Sequence, residues 1–244
     1  MKMSIKKFIL LFVIFCSGAY LSWAQEYILP MGGNPALAGN VPENNKKSLS
    51  AISSVDLPFA DDFSGRSPYP SSTLWANKYA FINDGFAVNP PTIGVATLDA
   101  IDEHGSVYAT ATISPETFVA DSLTSLPINL AYTPADSIYL SFFYQPTGNG
   151  LQPGTYDSLC LDFYAVDSGV WNTVWAIPGD TLSAFRQVMV PIKDTIYLKD
   201  GFRFAFHNRA SLPSNTDYKD KRGNVDHWNI DYVRLDKDRF RTDT

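Results

Sequence analysis

The sequence predicts an all-β fold, an antiparallel jelly-roll β-sandwich with little helix. Apolar and polar residues alternate with a period of two along many short segments. Turn-forming residues separate these segments, as at Asn83-Asp84-Gly85, Pro178-Gly179-Asp180 and Lys199-Asp200-Gly201. No long stretch repeats its apolar residues with helical spacing, and Phe, Tyr, Val, Ile and Thr are plentiful, which favours a sandwich.

Three segments show the alternation most clearly: Ile138–Tyr144, Leu159–Ala165 and Phe202–His207. In each, every second residue is a large apolar one, as expected of a strand with one buried face. The further candidate strands are Tyr79–Ile82, Ile93–Ile101, Ser106–Thr112, Leu123–Leu130, Asn172–Ile177, Phe185–Ile192 and Trp228–Leu235.

The first 24 residues have the three parts of a secretory signal peptide. Lys2, Lys6 and Lys7 precede the apolar run 8–15, and small residues at 22 and 24 predict cleavage before Gln25. The run is too short for a membrane span, which takes about 20 residues. Lipidation of Cys16 is disfavoured because Phe15 stands where a small residue is expected. We therefore expect export to the periplasm, the cell surface or the medium, and no transmembrane segment in the mature chain.

Cleavage changes the charge and the cysteine count. It removes three of the 19 basic residues and none of the 25 acidic ones, which leaves 16 against 25 and a net charge of −9. Such a chain has no electrostatic reason to bind nucleic acid or an anionic membrane. Cys160 is the only cysteine of the mature chain, so no intramolecular disulfide can form and the domain depends on its core.

The predicted organisation has four parts. Residues 1–24 are the signal peptide, and residues 25–56, rich in Gly, Pro, Asn and Ser, form a linker or docking arm. The β-sandwich domain spans 57–235. A polar tail, 236–244, is expected to fray.

Aspartate greatly outnumbers glutamate, 21 to four, and two clusters are candidates for a Ca²⁺ site. One is Asp61-Asp62, where the domain begins; the other contains Asp231, where it ends. Asp also stabilises turns, which explains most of the excess. Trp228 and Ile230 lie on one strand face, while Val233 and Leu235 have the opposite parity. If all four are buried, a β-bulge must lie near Asp231–Tyr232, with or without a bound ion.

The other candidate residues are aromatic or nucleophilic. Trp171 and Trp175 follow a turn and are candidates for stacking on a sugar, although most aromatics in a sandwich are core. His104, His207 and His227 lack zinc spacing, and we interpret them as exposed or hydrogen-bonded. Cys160 points away from the leucine face and has no catalytic signature, so it is interpreted as a small buried apolar group. No strand carries paired glutamates of the kind a glycosidase uses, so no enzyme is expected.

Three segments resemble known modules: the acidic, Phe-containing end of the first strand, Tyr139–Tyr144, and Trp228-x-Ile230-Asp231-x-Val233-x-Leu235. They resemble the MAM-type adhesion jelly roll, and the cleaved-adhesin and concanavalin-A-like modules of surface proteins from bacteria with type IX secretion. The resemblance covers roughly 57–235. It implies a Ca²⁺ between the first and last strands, bound by Asp231 and by Asp61 or Asp62. The sequence departs from these modules in lacking the disulfide cysteines of animal MAM domains and the type IX sorting domain.

Together these observations predict a non-catalytic, extracytoplasmic adhesion or ligand-binding module, with a glycan as candidate ligand and Ca²⁺ as a structural ion. One alternative is a structural or accessory subunit of a cell-envelope or secretion assembly, in which the 25–56 arm and a sheet edge pair with an envelope protein. A second alternative is a glycan-active hydrolase.

Overall fold

The computed structural model describes residues 34–37, 53–179, 184–213 and 223–243. The predicted signal peptide and most of the 25–56 arm lie outside these ranges, so export stays a prediction. In the described part of the chain, no helix is both long enough and apolar enough to cross a membrane.

Within these ranges the chain forms eleven strands and a 3-10 turn at Pro134–Asp136. The strands are β1 (Phe59–Asp61), β2 (Phe81–Asn83), β3 (Val95–Leu98), β4 (Phe118–Thr124), β5 (Ile128–Asn129), β6 (Tyr139–Pro146), β7 (Ser158–Ala165), β8 (Val170–Pro178), β9 (Arg186–Pro191), β10 (Asp200–Ala210) and β11 (Trp228–Asp236). The first sheet has the order β2-β3-β11-β6-β9, with β1 also paired to β11. The second has the order β4-β10-β7-β8, with β5 paired to β10. The predicted all-β jelly-roll sandwich is confirmed.

Aromatic side chains fill the space between the two sheets. Phe202, Phe204 and Phe206 of β10 are fully buried, as their alternation predicts. Phe204 meets Phe59 and Trp75 edge to face, with ring centroids 5.2 and 5.7 Å apart. This geometry is the favourable one for aromatic pairs and adds to the hydrophobic gain.

The predicted strand Ser106–Thr112 is wrong. Apart from one isolated bridge between Val107 and Ile101, this segment is loop. Tyr108 and Ala111 pack on a small second core that includes Phe118, but they are three residues apart and do not follow a period of two. Strand β4 begins at Phe118, five residues before the predicted start at Leu123.

Both segments flanking the domain make ordered contacts where they are described. Leu37 is buried, and the Asn34 N–H donates to the Gly105 carbonyl at 3.1 Å. The tail, which was expected to fray, contains the buried Arg239, whose Nη1 donates to Ser141 Oγ at 2.8 Å. A buried guanidinium with a hydrogen-bond partner ties residues 237–239 to β6.

The β-bulge predicted in β11 is confirmed. The ladder between β11 and β6 slips between Asp231 and Arg234, and Tyr232 has a φ of 46°. The slip allows Val233 to be buried like Ile230, although their parities differ. On its other edge β11 pairs with β3 before the bulge and with β1 after it. Asp231 therefore lies at the gap where β3 gives way to β1.

Phe204→Ala should lower the free energy of unfolding by about 3–5 kcal/mol, because it removes a buried ring and leaves a cavity among neighbouring rings. Phe240→Ala is the matched control, since that ring is 67% exposed, and it should change stability by less than about 0.5 kcal/mol. Urea denaturation of both variants measures the difference. Equal effects would contradict the assignment of the core.

Candidate functional site

The outer face of the second sheet carries a band of polar and aromatic residues. Because Leu159, Leu161 and Phe163 of β7 point into the core, the residues between them point outward. The register of β7 with β10 sets three of these outward residues opposite three of β10. The pairs are Tyr164 with Arg203, Asp162 with Ala205, and Cys160 with His207.

At one end of this band Tyr164, Trp171 and Arg203 form what we call the aromatic platform. Trp171 of β8 lies opposite Tyr164, with ring centroids 5.1 Å apart. The guanidinium carbon of Arg203 lies 3.9 Å from the Tyr164 centroid and 5.4 Å from that of Trp171. Trp171 is 37% exposed. The platform thus presents an aromatic surface next to a fixed set of cationic N–H donors.

Trp175, the other tryptophan expected to bind a ligand, faces the opposite way. It lies opposite Leu161 and packs edge to face on Phe142 and Tyr144, both at 5.2 Å. A register shift in the β7–β8 ladder, between Leu161 and Asp162, separates the two tryptophans. Four residues apart in a regular strand they would share a face, and the bulge reverses that parity. They therefore cannot stack together on one ligand.

Next to the platform along the band, Asp162 and His207 form an ion pair. His207 Nδ1 lies 3.1 Å from Asp162 Oδ2, and the Thr173 hydroxyl donates to Asp162 Oδ1 at 2.6 Å. Burial opposes the charge on the imidazole, but hydrogen bonds with Asp162 and Cys160 raise the pKa of His207 to about 9. Cys160 is buried, as expected, yet it contacts this charged pair and does not lie in apolar surroundings.

The other two histidines have structural roles or none. Buried His227 accepts a hydrogen bond from the Leu151 N–H at its Nδ1, at 2.9 Å, and its Nε2 lies 2.7 Å from Asn224 Oδ1. Burial lowers its pKa to about 4, so the ring is neutral. The His104 side chain is about half exposed, beside Glu103.

The gap between β1 and β3 gathers oxygen atoms around Thr92. The Thr92 hydroxyl oxygen lies 2.7 Å from Asp231 Oδ1, 2.8 Å from the Asp62 carbonyl oxygen and 3.3 Å from the Gly94 carbonyl oxygen. The Thr92 N–H also donates to Asp231 Oδ2 at 2.8 Å. A hydroxyl has one proton and can satisfy one of these three oxygens. Burial raises the pKa of Asp231, and the hydrogen bonds from Thr92 lower it by less.

The three aspartates proposed as metal ligands do not form one cluster of carboxylates. Asp231 and the backbone of Asp62 meet at Thr92, whereas Asp61 accepts hydrogen bonds from Trp75 Nε1 at 2.7 Å and from the Phe63 N–H at 2.9 Å. Across the described residues, no three His, Cys, Asp or Glu side chains are grouped closely enough to hold a metal. A cation here would depend on backbone carbonyls as much as on carboxylates.

Four buried aspartates at another position escaped the sequence analysis: Asp99, Asp121, Asp157 and Asp226. Asp121 accepts hydrogen bonds from the Tyr108 hydroxyl at 2.6 Å and from the Asp99 N–H at 2.9 Å. The Asp157 and Asp226 side chains are within hydrogen-bonding distance of each other, which requires a proton between them. Burial raises the pKa of Asp99 and that of Asp226 to about 8. No local pattern distinguishes these residues from the turn aspartates.

Comparison with known proteins gives fold likenesses alone. No protein-family model matches the sequence, and no curated protein matches it. One similar structure is CBM27-1, a carbohydrate-binding module (CBM) of Caldicellulosiruptor saccharolyticus, solved with mannohexaose. It is 11% identical in sequence with a TM-score of 0.41, and the match covers 73% of this chain and 96% of that one. The CBM22-1 xylan-binding domain of Paenibacillus barcinonensis Xyn10C is 6% identical with a TM-score of 0.36, over 77% and 97%.

A third similar structure is the family 11 carbohydrate-binding module of Clostridium thermocellum, solved with a mixed-linked tetrasaccharide. It is 13% identical with a TM-score of 0.34, over 72% of this chain and 92% of that one. At TM-scores below 0.5 these likenesses say nothing of what this chain binds.

Asp226→Asn should make stability less dependent on pH. An unfolded aspartate loses its proton near pH 4, whereas folded Asp226 keeps its proton to about pH 8. The stability that Asp226 contributes is therefore present at low pH and lost as the pH rises from about 4 to about 8, by at most about 1.4 kcal/mol per pH unit.

Denaturant titrations measure the free energy of unfolding of the wild type and of Asp226→Asn at each pH. The wild-type value minus the variant value should fall as the pH rises from about 4 to about 8. Asp84→Asn, which removes an exposed carboxylate by the same substitution, is the matched control. A difference that rises with pH would contradict the buried, protonated state of Asp226.

Proposed function

We propose that this chain is a non-catalytic glycan-binding module that acts after export, with the outer face of the second sheet as its binding surface. The observation that carries the proposal is the aromatic platform of Tyr164, Trp171 and Arg203. Export is supported by the three-part N-terminal sequence, and the net charge of −9 argues against nucleic acid as the ligand.

The platform has the two kinds of surface that a sugar ring requires. The C–H face of a pyranose is apolar and packs on an aromatic ring such as Trp171, while its rim of hydroxyl groups needs donors and acceptors. Arg203 supplies donors in a planar array, and its stacking on Tyr164 limits its freedom before any ligand arrives. Preorganisation of this kind lowers the entropic cost of binding.

The neighbouring carboxylate favours binding over hydrolysis. A glycosidase needs one carboxyl group with a raised pKa to protonate the leaving group. Asp162 has the opposite property: although burial opposes its charge, the hydrogen bonds from His207 and Thr173 lower its pKa. It is held as an anion, which suits it to accept hydrogen bonds from hydroxyl groups and not to act as a general acid.

We also propose that Ca²⁺ stabilises the module at the gap between β1 and β3. The support is the group of three oxygen atoms around the single Thr92 proton, which leaves acceptors that a hard cation could satisfy. Asp231 would provide its carboxylate, and Asp62 and Gly94 would provide their backbone carbonyl oxygens. A bound ion would tie the first strand of the sandwich to the last.

Trp171→Ala should weaken glycan binding by roughly tenfold, which corresponds to the loss of about 1.4 kcal/mol of contact energy. A glycan array identifies the ligand, and calorimetry with soluble xylans, mannans and β-glucans measures the affinity. Phe240→Ala is the matched control, because it removes an exposed ring near the first sheet and should leave binding unchanged.

Two results would overturn the glycan proposal. One is an absence of binding to every polysaccharide tested, and the other is binding that Trp171→Ala and Phe240→Ala alter equally. Release of reducing ends from any polysaccharide would indicate a hydrolase instead.

Calcium should raise the melting temperature of chelator-treated protein, since an ion that binds the native state alone adds about 2.7 kcal/mol at 100 times its dissociation constant. Asp231→Asn should remove the shift, while Asp84→Asn should retain it. Differential scanning calorimetry with calcium and with chelator measures both. A melting temperature that neither addition changes would rule out the calcium site.

A further inference from the structure

Cys160, His207 and Asp162 lie side by side on the outer face of the second sheet. Cys160 and His207 are directly opposite each other on β7 and β10, and Asp162 is two residues from Cys160 on the same face. The imidazole projects beside the thiol of Cys160, its partner across the ladder, and its Nδ1 lies 3.1 Å from Asp162 Oδ2. A thiol, an imidazole and a carboxylate thus form a connected chain, the arrangement that activates a nucleophilic cysteine.

The surroundings of the thiol restrict what can reach it. Cys160 keeps 7% of its surface exposed. Opposite it on β8 is Ala176, a small and exposed residue, and Ser158 Oγ lies 3.7 Å from its sulfur. The thiol therefore lies on the outer side of the sheet with little of its surface exposed, which favours small reagents over bulky ones.

The charges around the thiol favour its ionised form. Burial opposes ionisation of Cys160, but hydrogen bonds from His207 and Ser158, with the imidazolium charge, lower its pKa. Asp162 also faces His207, and its negative charge raises the pKa of the thiol against these effects. On β4 the residue opposite His207 is Ser122. On β8 the nearby residues are Thr173 and Ala176, and all three are uncharged. The thiolate and the imidazolium stabilise each other, and Asp162 fixes the ring between them.

We propose that Cys160, positioned by His207 and Asp162, is a nucleophilic thiolate site that small soft electrophiles, peroxides in particular, modify covalently. In the oxidation, the thiolate sulfur attacks one oxygen of hydrogen peroxide and the O–O bond breaks. A sulfenic acid forms on Cys160, and the departing hydroxide takes the proton of the His207 imidazolium to leave water and neutral imidazole. The sulfur is oxidised and the peroxide is reduced, with no other reactant. The site does not depend on glycan binding.

The rate of alkylation of the native full chain by iodoacetamide, followed by mass spectrometry as a function of pH, tests the proposal. The wild type should react on a profile whose midpoint lies below that of an unperturbed thiol, near pH 8.5. His207→Asn should move the midpoint upward, because it removes the hydrogen bond and the positive charge that lower the pKa of the thiol. Below both midpoints, each pH unit of separation lowers the variant's rate about tenfold.

His104→Asn, at a half-exposed histidine elsewhere, is the matched control and should keep the wild-type profile, while Cys160→Ser should not react. Hydrogen peroxide should convert the wild type to a species that a dimedone probe labels, and His207→Asn should be labelled more slowly at neutral pH. Circular dichroism establishes that each variant is folded, and His207→Gln, with the same expected upward shift, takes the place of His207→Asn if that variant is not.

Two outcomes would overturn the proposal. The first is a wild-type profile with the midpoint of an ordinary thiol. The second is a thiol that reacts only after denaturation, which would make Cys160 a simple buried residue.

Discussion

The structure depends on the burial of one apolar face of each strand against the opposing sheet. Because Phe202, Phe204 and Phe206 are buried in the core, the residues between them on β10 point to the outer face of the sheet. The same holds for β7, whose leucines are buried. Both the aromatic platform and the thiolate site follow from this constraint, because a slip of one residue would exchange their side chains with the core.

Local alternation explains which predictions from the sequence succeeded. It located the strands at the centres of both sheets, and the conflict of parity between Ile230 and Val233 was sufficient to predict the bulge in β11. The bulge in β8 gave no such signal, because apolar residues occupy both parities on either side of Val174. The two tryptophans consequently looked like neighbours on one face. Alternation also misled at Ser106–Thr112, which is loop and packs Tyr108 and Ala111, residues of opposite parity, on the small second core.

Contacts across the sheet were beyond prediction for a different reason. Cys160 and His207 lie far apart in the sequence, and only the pairing register of β7 with β10 brings them together. Register is set by how all the strands pack, and no single segment encodes it. Likewise, the sequence drew attention to Asp61, Asp62 and Asp231. It could not show that Thr92 would stand between two of them, or that Asp61 would turn toward Trp75.

The two sites on the second sheet share Asp162. Successive outward residues of a strand are about 7 Å apart, so the platform at Tyr164, the carboxylate of Asp162 and the thiol of Cys160 form three adjacent rows. A ligand that extends from the platform along β7 would donate hydrogen bonds to Asp162, the same group that holds the His207 ring. The carboxylate has about four lone-pair sites, and Thr173 and His207 use one on each oxygen, so a ligand hydroxyl can donate to Asp162 without displacing either. Under the proposed function, Asp162 would thus contact the ligand and the His207 ring at the same time, with a separate lone pair for each partner.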